Sequence, residues 1–345
     1  MQFNMKVRFV NFGLQYQKQK KEIDKAVKYC IDNGKFVLQD EVEKFEQEFA
    51  DYVGAKYCVG MNSGTDALYL ALWHAGVRPG DEVIVPSHTF VATAQVVAQL
   101  KATPVLVDMD GKFTLTERTK AVIVAHIAGD IAIEMRPLIK LAAKWGIPVI
   151  EDACQSLGAE QHGIKAGAWG DMGCFSFYPA KILGCFGDGG ALVTDDKETY
   201  ERMRELRHHY KYTNKEWGIN SRLDNIQAAV LSVKLKRLPE MLKRRKEIAD
   251  MYLKELEGVV GLPINRPGRV WQDFVIMVGS KRDDLFEWLK KEGVETMKND
   301  YPFPITKGPL SVVYEQATLR IPCNDVLTDA EIKYVIKKIK EFFGK

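Results

Sequence analysis

Between residues 40 and 195 the chain alternates short apolar runs with longer segments in which apolar residues recur at helical spacing. The short runs have the composition of strands buried on both faces, and they lie at Tyr57–Met61, Glu82–Pro86, Pro104–Asp108, Ala121–Ala125, Ile147–Asp152, Cys174–Phe177 and Ala191–Thr194. The helical segments are Asp40–Tyr52, Asp66–Ala75, Val91–Leu100 and Met135–Trp145. Strands that alternate with helices in this way predict an α/β fold with a mostly parallel central sheet flanked by helices.

The pattern changes in the last third of the chain. Residues Asp224–Glu257 have mostly helical spacing, and the remaining ordered segments are Arg269–Val278, the helical Asp283–Lys291 and the amphipathic Asp329–Phe343. These segments predict a small C-terminal α+β domain. We therefore expect a large α/β domain over residues 1–240 and a small domain over 241–345, and we leave open that the N-terminal segment packs on the small domain.

Composition and charge narrow the class of protein. The 345 residues include 49 basic and 46 acidic side chains, so no domain-scale basic excess indicates a nucleic-acid partner. The basic stretch Lys234–Arg245 is typical of a solvated helix face. The six cysteines show no C-x-x-C spacing, which argues against a metal site or a redox motif. With no signal-peptide pattern and no apolar run long enough to span a bilayer, the sequence predicts a soluble cytoplasmic protein without a membrane partner.

Polar residues capable of chemistry follow two of the predicted strands. Asn62–Thr65 comes after the first strand and opens a helix, where free amides and hydroxyls suit a phosphate group. An ordinary Ser/Thr helix cap is the alternative interpretation. Asp152 ends a strand of the covered sheet, where a carboxylate needs a cationic or hydrogen-bonding partner. A helix cap or a structural ion pair would also explain this aspartate.

A lysine lies in the middle of CFSFYPAKILGCFGDGG, residues 174–190. Aliphatic and aromatic neighbours predict partial desolvation of Lys181, which favours a neutral amine that attacks a carbonyl. Pro179 restricts the turn before it, and Ser176 offers a further hydroxyl for a phosphate. Four glycines after the lysine allow the backbone to approach closely: Gly184, Gly187, Gly189 and Gly190. Taken alone, Lys181 would equally fit an ordinary solvated loop lysine.

The helix-start motif, the aspartate and the lysine together indicate a function more specifically than each does alone. A phosphate cradle, an aspartate for a pyridinium nitrogen and a lysine for an aldehyde are the contacts that pyridoxal 5′-phosphate (PLP) needs. Phe90, just after a strand, could stack on the ring of such a cofactor.

Several long motifs, in order, carry a family resemblance. They are NSGTDALYLAL (62–72), GDEVIVPSHTFVAT (80–93), PVIEDACQSLGA (148–159), GDMGCFSFYPAKILGCFGDGGALVT (170–194), NSRLDNIQAAVL (220–231) and RIPCNDVLTDAEI (320–332). Over nearly its whole length the chain resembles the DegT/DnrJ/EryC1/StrS family of nucleotide-sugar aminotransferases. The resemblance implies the fold-type I architecture of the aspartate aminotransferase superfamily.

The resemblance also implies roles for residues around the cofactor ring. Lys181 matches the lysine that binds PLP covalently and then transfers the proton. Asp152 matches the partner of the pyridine nitrogen, Gln155 a residue near the ring hydroxyl, and Phe90 the stacking aromatic. Some relatives have histidine in place of the lysine and dehydrate their substrate, so lysine here favours transamination.

A second group of residues matches the phosphate site of the family. Gly64, Thr65 and Ser176 match residues that bind the phosphate of PLP. Asn220 matches an asparagine that reaches the phosphate of the neighbouring subunit. The resemblance therefore implies a homodimer with shared active sites.

The chain departs from the family pattern at three places that put substrate contacts in doubt. After His126 the family has an aromatic residue and then glycine, whereas this chain has Ile127-Ala128-Gly129 and a shortened segment. A histidine common near the sugar is missing from residues 301–310. Tyr210 stands where a glycine follows histidine in relatives. For His126 we favour a structural role.

These observations lead to a hypothesis about the reaction. A PLP-dependent aminotransferase would convert a nucleotide-linked keto sugar to an amino sugar with L-glutamate as the amino-acid donor. The run after the lysine resembles members that aminate C3 of a 3-keto hexosamine or its uronate, and amination at C4 is the rival. A PLP-binding regulatory protein without turnover is a further alternative. A nucleotide-binding dehydrogenase is disfavoured, because the glycines at 187–190 precede a strand instead of following one.

Overall fold

A computed structural model describes residues 7–131, 134–305 and 307–345. Its strands are β1 Tyr57–Met61, β2 Glu82–Pro86, β3 Thr103–Val107, β4 Thr119–Ala125, β5 Val149–Asp152, β6 Glu160–Gln161, β7 Ile164–Lys165, β8 Met172–Ser176, β9 Gly190–Thr194, β10 Phe274–Met277, β11 Met297–Lys298 and β12 Thr318–Ile321. The central sheet has the order β1-β9-β8-β5-β4-β2-β3. Strand β9 is antiparallel to both neighbours, and the other pairs are parallel.

Helices surround this sheet and build most of the remaining chain. They are α1 Phe12–Lys18, α2 Lys20–Asp32, α3 Asp40–Val53, α4 Gly64–His74, α5 Val91–Gln99, α6 Met135–Trp145, α7 Lys197–Leu206, α8 Asn225–Leu235, α9 Leu238–Glu255, α10 Arg282–Lys291, α11 Pro309–Ala317 and α12 Asp329–Phe342, with a short 3₁₀ turn at Gly279–Lys281. None of the helices in the described ranges combines the length and the apolar character that crossing a bilayer requires.

The central sheet is covered on both faces, as its apolar strands predict. Neighbouring residues of β2 point to opposite sides: Ile84 belongs to a core with α3, α6 and α8, whereas Val83 and Val85 belong to a core with α4, α5 and α7. Continuous apolar strands are required where both faces are buried. The predicted α/β fold with a mostly parallel sheet is confirmed.

Some boundaries and elements differ from the expectation. Strand β10 covers only Phe274–Met277 of the predicted 269–278, because residues 270–273 bond to other segments. Sequence analysis placed no element over α7, whose sequence KETYERMREL buries only Thr199, Met203 and Leu206. A buried stripe that narrow gives a weak periodic signal. Helices α1, α2 and α11 and the short strands β6, β7, β11 and β12 were likewise not predicted.

The C-terminal part has a core of its own. The antiparallel sheet β10-β12-β11 packs with α9, α10 and α12 around side chains such as Trp271 and Tyr252. Helix α9 bridges two cores, since Leu238 lies in the core shared with α3 and Ile248 in the C-terminal one. Val7 also belongs to the C-terminal core and exchanges backbone hydrogen bonds with residues 293 and 295.

Candidate active site

Six strands present their carboxyl ends at one edge of the central sheet. These strands run in the same direction, and their last residues are Met61, Pro86, Val107, Ala125, Asp152 and Ser176. Ligands of open α/β sheets bind outside the carboxyl ends of the strands. Six of the predicted site residues end one of these strands or follow it within four residues, namely Gly64, Thr65, Phe90, Asp152, Gln155 and Ser176.

The start of helix α4 lies against the end of β8. A Cβ built on Gly64 would be 2.7 Å from Cys154 Sγ, 3.0 Å from Ser176 Cβ and 3.1 Å from the carbonyl oxygen of Phe175. Only glycine fits here without displacing neighbours, and the contact brings Gly64 and Ser176 together. The predicted phosphate residues therefore share one corner of the site.

The first turn of α4 has backbone amides without an acceptor inside the helix. The hydroxyl of Ser63 caps the helix by accepting the amide of Asp66 at 3.0 Å. The amides of Gly64 and Thr65 precede the first intrahelical bond, so the helix itself offers them no acceptor. Together with the hydroxyls of Thr65 and Ser176, these amides are the kind of donors that an anion at a positive helix end requires. The Ser63 cap leaves these donors unused by the helix.

Asp152 is buried with neutral partners. The side chain is 6% exposed, and its Oδ2 accepts the hydroxyl of Thr93 at 2.7 Å while Oδ1 accepts the amide of Cys154 at 3.2 Å. Thr93 also bonds to the hydroxyl of Thr89 at 2.9 Å. Among the described residues no lysine, arginine or histidine pairs with Asp152, and no helix follows it. The carboxylate is arranged for a cationic partner that the chain does not supply.

No role was predicted for Cys154, although this residue lies between Asp152 and the start of α4. Burial, and next the negative charge of Asp152, raise the pKa of its thiol well above the usual value, whereas the positive charge of Lys181 opposes this shift. The thiol therefore stays protonated at neutral pH. Cys154 lies next to Asp152, to which its amide donates, and against the start of α4, where its sulfur would meet a Cβ on Gly64; the charge of Lys181 also acts on its thiol.

Lys181 lies in a turn that follows β8. Its amide donates to the carbonyl of Tyr178 at 2.8 Å, and the residues after it, Ile182 to Cys185, are buried. Its ammonium makes no hydrogen bond or ion pair with the rest of the described chain. The turn is tight, since a Cβ on Gly184 would be 2.4 Å from the carbonyl oxygen of Pro179. The lysine is half-buried and available to a ligand.

Gln155 and Phe90 occupy different surroundings. Gln155 is buried, accepts the amide of Ala128 at 3.2 Å and donates to the hydroxyl of Tyr301 at 3.4 Å. Burial raises the pKa of this tyrosine, so its hydroxyl stays neutral. Phe90 precedes α5 and is 54% exposed, so its ring is free to stack on a ligand.

Asn220 is exposed and touches none of the other predicted site residues. Its neighbour Ser221 is buried and ties this loop to the first turn of α4, because its hydroxyl donates to Asp66 at 2.6 Å and accepts the amide of Asn62 at 3.1 Å. Tyr210, where relatives have glycine, takes a left-handed conformation with φ of 57°. The backbone shape that favours glycine is thus kept with a tyrosine.

His126 serves the fold. Its Nε2 is 2.9 Å from the carboxylate of Glu151, and both side chains are fully buried. The same carboxylate accepts the amides of Gly167, Trp169 and Gly170 at 2.7–2.9 Å. This cluster holds the loop that leads into β8, which supports the structural role favoured for His126.

A polar network not foreseen from the sequence lies beside the site. His88 Nδ1 is 3.0 Å from Glu315 on α11, and Lys307 pairs with the same carboxylate. Burial opposes ionisation of Glu315, but the hydrogen bonds from His88 and Lys307 lower its pKa. This network adjoins residues 301–310, where the family histidine is missing, and Thr306 of that stretch lies outside the described residues.

Replacing Gly64 by alanine is expected to weaken PLP binding about tenfold or more. The new methyl group would collide with Cys154, Ser176 and the Phe175 carbonyl, so the corner of the anion site must open. Gly13→Ala is the matched control, since its nearest contact is 3.9 Å away. Titration of each apoenzyme with PLP measures the Kd, and equal values for the two variants would contradict this placement of the cofactor.

The mostly parallel sheet, with Asp152 at its carboxyl edge and Lys181 in the turn after β8, fits the class of fold-type I PLP-dependent aminotransferases. The sequence profile of the DegT/DnrJ/EryC1/StrS aminotransferase family matches residues 17–340, and the chain belongs to this family. The enzyme is accordingly a PLP-dependent aminotransferase. The predicted family, cofactor and enzyme class are confirmed.

Curated relatives cover most of the chain. The dTDP-3-amino-3,4,6-trideoxy-alpha-D-glucose transaminase of Streptomyces venezuelae is 41% identical over 88% of this chain and 84% of its own length. The UDP-2-acetamido-2-deoxy-3-oxo-D-glucuronate aminotransferase of Pseudomonas aeruginosa is 38% identical over 91% of both chains. A crystal structure of S. venezuelae DesV with a bound intermediate matches with a TM-score of 0.91 at 36% identity, over 98% of this chain and 99% of DesV. Relatives therefore act on nucleotide-linked sugars.

Proposed function

We propose that the enzyme transfers an amino group from L-glutamate to C3 of a nucleotide-linked 3-keto hexose or its uronate. The observation that carries this proposal is the grouping of Gly64, Ser176, Asp152 and Lys181 around Cys154 at the carboxyl edge of the sheet. The names of both curated relatives specify C3 of the sugar, which supports C3 over C4.

Lys181 carries the proton in the proposed reaction. Its amine would bind the cofactor carbonyl at rest and be released when the donor amino acid takes its place. The freed amine would act as the base that takes the proton from the α-carbon of the donor and as the acid that gives a proton back. PLP, when bound, supplies an electron sink for the negative charge that this proton transfer creates.

The neighbours of Lys181 would hold the cofactor for this transfer. Asp152, oriented by the hydroxyl of Thr93, would keep the pyridine nitrogen protonated. Gly64, Thr65 and Ser176 would bind the phosphate. Phe90 would cover one face of the ring, and Gln155, fixed by Ala128 and Tyr301, would face the ring hydroxyl.

A homodimer with shared active sites is part of the proposal. Asn220 is exposed in the single chain and sits beside the start of α4 through Ser221, where it could reach the phosphate site of a second subunit. We also propose a cytoplasmic location, which the six free cysteines support, since reduced thiols persist in reducing compartments.

Absorption spectroscopy followed by a substrate screen tests the proposal. The PLP-loaded enzyme is expected to lose its visible band on addition of L-glutamate, which indicates the first half of the reaction. The aminated enzyme should then recover the band with dTDP- or UDP-linked 3-keto sugars and not with the matching 4-keto sugars. Recovery with 4-keto sugars alone would overturn the position of amination, and a band that glutamate leaves unchanged would overturn the donor.

A further inference from the structure

One side chain holds both peptide groups that flank Lys181. Gln272 Oε1 accepts the amide of Ile182 at 3.0 Å, and Gln272 Nε2 donates to the carbonyl of Ala180 at 3.1 Å. Both distances are those of well-formed hydrogen bonds. The amide of the glutamine thus pairs with the turn as a neighbouring strand would, and the lysine lies between the two bonds.

Gln272 is buried, and hydrogen bonds from Arg245 fix its backbone. It is 9% exposed, and the buried Arg245 of α9 donates to the carbonyl oxygens of Trp271, Gln272 and Cys323 at 3.0, 3.1 and 2.9 Å. Trp271 is part of the C-terminal core. Gln272 therefore projects from the small C-terminal core onto a turn that belongs to the central sheet.

Asp273, the residue after Gln272, is connected through Arg320 to Tyr301, which binds Gln155. Asp273 pairs with Arg320 at 3.3 Å, and the guanidinium of Arg320 lies 5.3 Å from the centre of the Tyr301 ring. Tyr301 in turn accepts a hydrogen bond from Gln155. Consecutive residues of one segment thus connect to both predicted site residues: Gln272 bonds directly to the peptides around Lys181, and Asp273 is linked to Gln155 through Arg320 and Tyr301.

We propose that Gln272 is a positioning residue for the reaction, which fixes the direction in which the Lys181 side chain leaves its turn. The ammonium has no hydrogen-bond or ion-pair partner among the residues that the structure describes, so the backbone conformation at residue 181 decides which volume the flexible side chain explores. Holding the peptides on both sides fixes that conformation and raises the fraction of time in which the amine lies in reach of its target. This inference rests on the role proposed for Lys181.

A second glutamine in the chain provides a control for the two hydrogen bonds of Gln272. Gln227 of α8 makes the same pair of bonds to Phe186, accepting its amide at 2.7 Å and donating to its carbonyl at 3.1 Å. Phe186 belongs to the same loop but lies five residues beyond the lysine. Loss of Gln227 removes equivalent hydrogen bonds without freeing the peptides around Lys181.

Three variants of the full chain test the proposal: Gln272→Leu, Gln272→Glu and Gln227→Leu. In the apoenzyme, amide hydrogen exchange is expected to rise about tenfold or more at Ile182 in Gln272→Leu and to stay near wild type there in Gln227→Leu. Gln272→Glu keeps the acceptor for Ile182 and loses the donor to Ala180. It should give an intermediate result, and it keeps the test valid if the leucine variant does not fold.

The loaded enzyme gives a second readout. We expect Gln272→Leu to slow the attachment of PLP to Lys181 about tenfold, measured by borohydride trapping and peptide mapping, and to shift the pH midpoint of the visible band. Gln227→Leu should keep both values. Equal effects of the two leucine variants, or none at all, would overturn the positioning role. If Lys181→Ala still trapped PLP at the same peptide, the proposed role of Lys181 would fail instead.

Discussion

Lys181→Ala is expected to fold like the wild type, to bind PLP without covalent attachment and to lose transamination by about 10³-fold or more. The fold should survive because the ammonium makes no hydrogen bond or ion pair within the described chain. The rate should fall because no other amine is placed to move the proton. Single-turnover kinetics with L-glutamate, together with thermal melting, measure the two effects separately.

Rescue by a small amine provides the control for this variant. Adding methylamine should restore part of the proton transfer, because the amine can enter the volume that the lysine side chain vacates. A variant that merely distorts the turn would gain nothing from the added amine. Full turnover by Lys181→Ala without any additive would remove the lysine from the proposed mechanism.

Asp152→Ala is expected to weaken the binding of PLP and to reduce the rate of transamination about 10²-fold or more. The negative charge would no longer hold the pyridine nitrogen protonated, and the hydroxyl of Thr93 would lose its acceptor. Titration with PLP and steady-state kinetics with L-glutamate give the two losses.

Two further substitutions separate the charge of Asp152 from its shape. Asp152→Asn keeps an acceptor for Thr93 and removes the charge, so it should lose nearly as much rate as the alanine variant. Thr93→Val keeps the charge and removes the hydrogen bond to Oδ2, while the amide of Cys154 still binds Oδ1, so it should lose much less. If Asp152→Asn had wild-type kinetics, the carboxylate would not act on the nitrogen.

The local pattern of the sequence was enough to predict the central sheet. Strands β1 and β2 match their predicted bounds, because turn residues border each apolar run on both sides. Strand β8 starts at Met172, two residues before the prediction, since the apolar pattern there is interrupted by a glycine that the sheet tolerates. Helix α7 was missed because its many charged residues hide a narrow buried stripe.

The site was predictable only where residues lie near the ends of strands. Gly64 and Ser176 are far apart in sequence, yet the parallel sheet brings both strand ends to one edge. Gln272 is 90 residues from Ile182, and Tyr301 is 146 residues from Gln155. No local pattern encodes contacts of that range, because they depend on how the C-terminal core docks on the sheet.

The pairing of Val7 with Val294 has a consequence for synthesis on the ribosome. The amide of Phe9 bonds to Glu295, a partner 286 residues away. Chains grow from the N-terminus, so Val7 and Phe9 have no partner until the segment around residues 294 and 295 has been made. The central sheet of β1–β5, β8 and β9 needs only strands made earlier, and it can assemble first.

The nascent enzyme would therefore carry its lysine well before the segment that holds it. Arg245, which binds the carbonyl of Gln272, also binds the carbonyl of Cys323, a residue made long after Lys181. A ribosome-stalled chain that stops short of this point would present Lys181 on a loose turn. Capture of the cofactor by such a chain would be slow, and full reactivity would coincide with completion of the C-terminal core.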